Sequence, residues 1–147
     1  MNESPFSRTK CACPSCSACC KRQPGSLAPG DFERIAAHLG ETEEQAKAHF
    51  WASPGALVKN SETGETVRVG TVTPRFRHGR CVFLDEKDRC KIHEVAPFGC
   101  SHFDTHMSAA HGQARSLYLV QQQMQDENYQ KLRNALPYAT HYKPNRY

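Results

Sequence analysis

The feature that most constrains this chain is a cysteine run close to its first residue, CPSCSACC at positions 13–20. Three thiols recur at intervals of three residues, and a fourth directly follows the third. Such spacing lets a tight turn point several sulfurs at one place, and thiolates held that closely repel one another unless a cation binds them. The run therefore predicts a metal site with ligands at Cys13, Cys16, Cys19 and Cys20.

The cellular compartment matters, because the chain has eight cysteines among 147 residues. Its first residues show no cationic start followed by an apolar stretch, and no apolar run is long enough to span a bilayer. We therefore expect a soluble, cytoplasmic protein with no membrane partner. A reducing compartment disfavours disulfides and favours metal binding or catalysis. A disulfide framework is the alternative, but vicinal cysteines make awkward bridges to separate partners.

The charge distribution gives little support for nucleic-acid binding. Nineteen Lys and Arg residues stand against fifteen Asp and Glu residues, a formal net charge of +4, and only residues 143–147 are locally basic. A nucleic-acid surface would show a basic stripe interleaved with aromatic side chains. We expect an ordinary solvated surface with a metal ion or cluster as the bound partner, and the pattern indicates no particular protein partner.

Two short helices are predicted after the cysteine run. Residues 31–39 carry apolar side chains at i, i+3, i+4 and i+7, with Pro29 at the first helical position and Gly40 at the end. Thr42 and Gln45 form a capping-box pattern that opens a second helix. The apolar positions of that second helix are Ala46, Phe50 and Trp51.

The middle of the chain changes to β-type patterns. Residues 56–72 are rich in β-branched side chains around a polar turn and predict a hairpin, and residues 81–84 and 89–92 predict the arms of a second hairpin. An apolar stripe over 116–136 predicts a C-terminal helix. The fold class is therefore α+β, a small metal-stapled domain with a helical hairpin and short antiparallel hairpins. We assign this domain to residues 11–137, with a flexible tail at 1–10 and an irregular tail at 138–147.

Three more cysteines follow in the second half of the chain. Cys81 and Cys90 lie near the two arms of the second predicted hairpin, and Cys100 follows the turn at 97–99. A long stretch separates these cysteines from the early run, so a shared site would tie the helices to the hairpins. We therefore expect all seven of these cysteines to contribute to the metal site.

Together these motifs resemble the CxxCxxCC family, whose members are described as zinc- or iron-chelating proteins. The resemblance covers about residues 13–104 and implies that the cysteines chelate zinc or iron. It rests on the early cysteine run, on Leu-x-x-x-Asp-Phe-x-x-Ile-Ala at 27–36, and on the string Cys81-x-Phe83-Leu84, Cys90-x-Ile92-His93-Glu94 and Pro97-x-x-Cys100.

Three departures accompany the resemblance. Ala96 precedes Pro97 where the family usually has arginine, so a role of that arginine in offsetting thiolate charge does not carry over. His93 stands before Glu94 where the family often has an aromatic residue. Cys11 lies outside the family pattern, and we interpret it as incidental or as a spare thiol.

The spacing of the thiols bears on which metal is bound. A structural zinc site takes four ligands, commonly from two CxxC knuckles, and the second half of the chain lacks a CxxC. A 4Fe–4S cluster takes three closely spaced thiols, as at Cys13, Cys16 and Cys19, and a fourth from far away. The spacing slightly favours the cluster and leaves zinc open. Seven thiols exceed one mononuclear site, so a spare thiolate such as Cys20 would make a small redox protein or metalloenzyme the alternative.

Polar residues around the two last cysteines are further candidates. His93, His102, Asp104 and His106 lie close to them in sequence, where an imidazole would complete the coordination or orient a ligand. Two histidines and a carboxylate around open positions would make a non-haem iron centre. Because the chain has eight histidines, we interpret most of them as solvated or as hydrogen-bond donors to ligands.

Overall fold

The computed structural model describes residues 6, 8, 25–53, 57–59, 63–68, 70–77, 80–87, 89–103 and 106–139. The predicted cysteine turn lies outside the described residues, as does the candidate ligand Asp104. The cysteines concerned are Cys11, Cys13, Cys16, Cys19 and Cys20.

The described residues form a small α+β fold with helices and two-stranded antiparallel sheets, which confirms the predicted fold class. The sheets pair Phe50–Ser53 with Thr71–Pro74, Leu57–Lys59 with Thr66–Arg68, and Phe76–Arg77 with Arg80–Cys81. No helix among the described residues has both the length and the apolar character that crossing a membrane requires. The helices are α1 (Asp31–Leu39), α2 (Glu43–Ala46), α3 (Phe98–Ser101), α4 (Ala109–Gln125) and α5 (Glu127–Ala135), with 3₁₀ turns at Lys47–His49 and His93–Val95. The strands are β1 (Phe50–Ser53), β2 (Leu57–Lys59), β3 (Thr66–Arg68), β4 (Thr71–Pro74), β5 (Phe76–Arg77) and β6 (Arg80–Cys81).

Helix α1 has the predicted bounds and the predicted end. Gly40 adopts the left-handed conformation with φ 68°, and its N–H donates to carbonyls of the last turn, as a terminating glycine does. The predicted role of Pro29 is wrong, because Gly30 intervenes as the N-cap with φ 93°. The backbone N–H of Ala28 donates to the Asp31 carboxylate at 2.7 Å, so the approach to α1 is set by a buried side chain.

The second helix is shorter than predicted. The capping box is present, since Thr42 and Gln45 exchange side-chain and backbone hydrogen bonds of 2.9 and 3.1 Å. The α-helix nevertheless ends at Ala46, and Phe50 and Trp51 belong to strand β1, which pairs with β4. Aromatic side chains favour strands, and this pairing puts Phe50 in the core.

The first predicted hairpin is correct for its inner arms and wrong for its outer residues. β2 pairs with β3 in antiparallel register, but Thr71 and Val72 belong to β4 and pair with β1 instead. In the second predicted hairpin only Cys81 lies in a strand, β6, and that strand pairs with β5. The opposite arm is reduced to one antiparallel bridge between Leu84 and Cys90.

The predicted C-terminal helix is two helices, α4 and α5, separated at Asp126. This residue leaves the helical conformation, with φ −101° and ψ 110°. Its carboxylate accepts the backbone N–H of Tyr129 at 2.8 Å, so it caps the second helix. After α5 the chain reaches β1, where the backbone N–H of Ala52 donates to the carbonyl of Pro137 at 2.9 Å.

A buried polar network lies beside the apolar core. The amide of Gln123 donates to the carbonyl of Leu27 at 3.1 Å, to the Thr71 hydroxyl at 2.9 Å and to the Tyr129 hydroxyl at 3.1 Å. The Tyr129 hydroxyl also accepts the backbone N–H of Val72 at 2.8 Å. Burial raises the pKa of Tyr129 well above its usual range, so the hydroxyl stays protonated. The network joins α4, α5 and β4 to the residues that follow the cysteine run. The apolar core around it includes Leu27, Phe32, Ile35, Phe50, Val72, Phe83 and Ile92.

Candidate metal centre

Cys100 meets the chain that leaves the cysteine run. It lies in the one-turn helix α3, and its Sγ accepts the backbone N–H of Gly25 at a distance of 3.0 Å. One residue along, the backbone N–H of Gly99 donates to the carbonyl of Ser26 at 2.9 Å. Gly25 follows Cys20 by only five residues. The structure therefore brings Gly25, five residues after the last cysteine of the run, into direct contact with a late cysteine.

This contact depends on two glycines. A Cβ on Gly25 would lie 2.1 Å from the carbonyl carbon of Gly99, and a Cβ on Gly99 would lie 2.4 Å from the backbone nitrogen of Ser26. Both distances are far shorter than carbon makes with any non-bonded atom. Both glycines adjoin turn residues in the sequence, Pro24-Gly25 and Phe98-Gly99, but sequence analysis did not connect them with the site. Only residues without a side chain permit the two backbones to meet here.

The segment after Gly25 is held on both sides. The backbone N–H of Leu27 donates to the carbonyl of Val72 at 2.9 Å, and the Leu27 carbonyl accepts the amide of Gln123. Leu27 itself is completely buried. Because β4 and α4 both hold this segment, the position of Gly25 against Cys100 is set by the core.

Asp31 ties α1 to α3, a role that sequence analysis missed. Its carboxylate accepts the backbone N–H of Phe98 at 2.9 Å as well as that of Ala28, and it pairs with Arg34. The side chain is almost completely buried, and burial raises the pKa of Asp31 although these partners oppose the rise. Asp31 thereby holds the start of the helix that carries Cys100.

Cys81 and Cys90 lie together at another part of the core. Cys81 is 7% exposed within the apolar cluster, and Cys90 packs against the same cluster. The backbone N–H of Leu84 donates to the carbonyl of Cys81 at 3.0 Å, and Leu84 forms the bridge with Cys90. A turn followed by a bridged pair leaves the two Cα atoms within roughly 12 Å of each other.

Two residues of the N-terminal segment, Phe6 and Arg8, contact the second half of the chain. Arg8 donates from Nη1 to the carbonyl of Glu94 at 2.7 Å and from Nη2 to the carbonyl of His93 at 2.6 Å. The ring of Phe6 meets the ring of Tyr118 edge-on, with the centroids 5.5 Å apart. No motif in the sequence pointed to Phe6 or Arg8.

The histidine candidates differ in their surroundings. His93 and His106 are exposed. The ring of His102 stacks on Phe98 with centroids 4.3 Å apart, and its Nδ1 lies 2.7 Å from the Ser101 hydroxyl. Burial, together with the nearby Arg8, lowers the pKa of His102. Its ring is thus already engaged by protein groups.

Within the part of the chain that the structure describes, no three His, Cys, Asp or Glu side chains come together as a metal-binding group. A groove of about 1230 Å³ runs beside α1, α3 and α5, and its walls include Phe6, Arg8 and His102. None of the three late cysteines lines this groove. A centre that uses Cys100 would therefore need further ligands from outside the described residues, where both the early cysteine run and Asp104 lie.

Comparison with known proteins gives one match. The model of the CxxCxxCC family, described as "Putative zinc- or iron-chelating domain", matches residues 12–132. No curated protein and no solved structure matches the chain at a significant level. The family match spans most of the chain, so this protein belongs to the CxxCxxCC family.

Proposed function

We propose that this protein, as a member of the CxxCxxCC family, holds a zinc ion or an iron–sulfur cluster between its early and late cysteines. The observation that carries the proposal is the 3.0 Å hydrogen bond from the Gly25 backbone to the Cys100 sulfur. The ligands we propose for the centre come from Cys13, Cys16, Cys19, Cys20, Cys81, Cys90 and Cys100.

Chain connectivity supports a shared centre. Five residues of extended chain span at most about 18 Å, and Cys20 precedes Gly25 by that number of residues. Cys13 follows Arg8 by the same number, and Arg8 is bound to the turn just after Cys90. The early segment is thus attached at Gly25 and at Arg8, and its chain length allows the early thiols to reach the late cysteines.

The surroundings of Cys100 suit a thiolate ligand. Its sulfur accepts a backbone N–H, and such hydrogen bonds stabilise thiolates and tune the potentials of iron–sulfur clusters. We propose Cys13, Cys16 and Cys19 with Cys100 as the set that would hold a 4Fe–4S cluster. Zinc would need only four of the same thiolates in a tetrahedron.

The remaining late cysteines support a structural role for the metal. Cys81 is buried in the core, where a bound metal would fasten the β5–β6 sheet to the rest of the domain. A redox or enzymatic role would instead need a reducible centre or an accessible thiolate such as Cys20. We propose a reducing, cytoplasmic setting because thiols used as metal ligands are typical of such compartments.

The first experiment is metal and sulfide analysis with an ultraviolet-visible spectrum on protein purified without air. Brown protein with iron and sulfide in comparable amounts would assign a cluster and favour the redox role. Colourless protein with stoichiometric zinc would assign a structural site. Protein that retains neither metal would refute the proposal.

Ligand assignment follows from serine variants. Cys16→Ser and Cys100→Ser should each lower the bound metal strongly, because each removes one thiolate. Cys11→Ser is the matched control, since Cys11 lies outside the family pattern, and it should keep the full metal content. Full metal content in Cys100→Ser would remove Cys100 from the ligand set.

A further inference from the structure

We propose that Phe6 and Arg8 form an N-terminal clamp that positions the start of the cysteine segment against the late cysteines. The clamp is the pair of side chains Phe6 and Arg8 together with their contacts, and it rests on the proposed metal-binding function. In this role neither residue is a ligand. Each acts by holding the chain from which the early thiols extend.

Arg8 binds the turn that follows Cys90. Its two terminal nitrogens donate to successive carbonyls, those of His93 and Glu94, within the 3₁₀ turn His93–Val95. A guanidinium is planar and presents paired donors in a fixed fork, so it fits two neighbouring carbonyls in one orientation. The contact therefore determines both the position and the orientation of the Arg8 side chain.

Phe6 packs against the long helix α4. The Arg115 guanidinium lies 4.7 Å from the centre of its ring, and Tyr118 meets the ring edge-on. Phe6 also lines the groove together with His102, whose ring stacks on Phe98 in α3. Cation–π and edge-on aromatic contacts both favour one placement of the ring.

The two contacts attach the cysteine segment to the domain at a second end. Residues 9–24 join Arg8, bound beside Cys90, to Gly25, bound to Cys100. Closing a loop costs less entropy when its ends are already held together. Loss of the Arg8 contact would remove no thiol from the chain but would lower the effective concentration of the early thiols around Cys100. The structure thus assigns Arg8 a positioning role in metal retention.

The test is the rate of metal release into a chromogenic chelator, measured on metal-loaded full-length protein. Arg8→Ala should release metal roughly tenfold faster than the wild type, as is typical when a group supporting a metal ligand is lost. Arg8→Lys should fall between the two, because an ammonium keeps the charge but lacks the fork. Phe6→Ala should also accelerate release.

Two controls separate positioning from general destabilisation. Lys131→Ala removes the same charge from an exposed position on α5. Leu39→Ala thins the apolar packing at the far end of α1 and lowers the thermal midpoint without touching the clamp. Both controls should release metal at nearly the wild-type rate.

The outcomes are distinct. If Arg8→Ala releases metal no faster than Leu39→Ala, the clamp is wrong while the metal-binding function stands. If Arg8→Lys matches the wild type, charge alone suffices and the positioning role of the fork is refuted. A wild-type protein that carries no metal before the chelator is added would overturn both the proposed function and the clamp.

Discussion

The two ends of the cysteine segment are held in different ways. At Gly25 the chain is held by backbone hydrogen bonds and by close packing against Gly99, next to completely buried residues. At Arg8 it is held by one exposed side chain that binds two carbonyls. Backbone contacts inside a core can change only if the fold changes, whereas a surface side chain can detach and rebind. The first end is therefore part of the fold, and the second end is adjustable.

The largest effect is expected from Gly99→Ala, which disrupts the packing at the Gly25 end of the cysteine segment. The added Cβ would lie 2.4 Å from the backbone nitrogen of Ser26, and a backbone neighbour cannot move aside as a flexible side chain can. We expect the free energy of unfolding of the metal-loaded protein to fall by about 3 kcal/mol, measured by urea denaturation.

Gly112→Ala is the matched control for that substitution. Gly112 lies inside α4, and a Cβ there would meet nothing within 4 Å. Alanine should raise the free energy of unfolding by roughly 0.5–1 kcal/mol, because it suits a helix interior better than glycine does. Equal effects of the two substitutions would show that the Gly25–Gly99 contact is not required for the fold.

Tyr129→Phe should weaken the buried network that holds Leu27 and, with it, the Gly25 end of the cysteine segment. It removes the hydroxyl that accepts the Val72 backbone N–H and the Gln123 amide in the buried network. A buried donor left without its acceptor costs about 2 kcal/mol of unfolding free energy. Tyr138→Phe, at a 60% exposed tyrosine, should leave the denaturation curve unchanged. A Tyr129→Phe curve that overlays the wild type would argue against the network as a support of Leu27.

Phe6→Ala should have a smaller effect on stability, because it acts at the adjustable end. The substitution removes one cation–π contact and one edge-on aromatic contact, which contribute together about 1 kcal/mol at a partly exposed site. The thermal midpoint should shift by only a few degrees. A loss as large as that of Gly99→Ala would mean that both ends are built into the fold alike.

The smallest effect concerns pH and the link between α1 and α3. Burial raises the pKa of Asp31 above the value of 3.8 that an unperturbed aspartate has. Between these two pKa values the folded protein binds more protons than the unfolded chain, so the Asp31 contribution to stability decreases as the pH rises. It is fully present below the unfolded pKa and is lost as the pH passes through the folded pKa.

Asp31→Asn isolates this contribution. The difference in unfolding free energy between wild type and variant should shift in favour of the variant as the pH rises through that window, and then level off. Urea denaturation at a series of acidic pH values measures it. A difference that shifts in favour of the wild type over the same window would contradict the raised pKa.

Much of the fold follows from patterns within a few residues. Helix α1 has the predicted bounds, since its apolar stripe and its terminating glycine act locally. The inner hairpin of β2 and β3 was also predicted from a polar turn between β-branched residues. Phe50 and Trp51 were assigned to the wrong element, because their spacing suits a helix while their pairing with β4 makes them a strand. The break at Asp126 was missed for a similar reason, since the apolar stripe continues across it.

The sequence by itself determined the α+β class, the family and the thiol chemistry, because these depend on residue types and on short spacings along the chain. Only the tertiary structure decided that Gly25 meets Cys100, 75 positions further along the chain, and that Arg8 reaches the turn after Cys90. Contacts at such separations depend on which surfaces pack together, and that is decided by the whole core. Here two glycines, one buried aspartate and one polar network bring the end of the cysteine segment to Cys100.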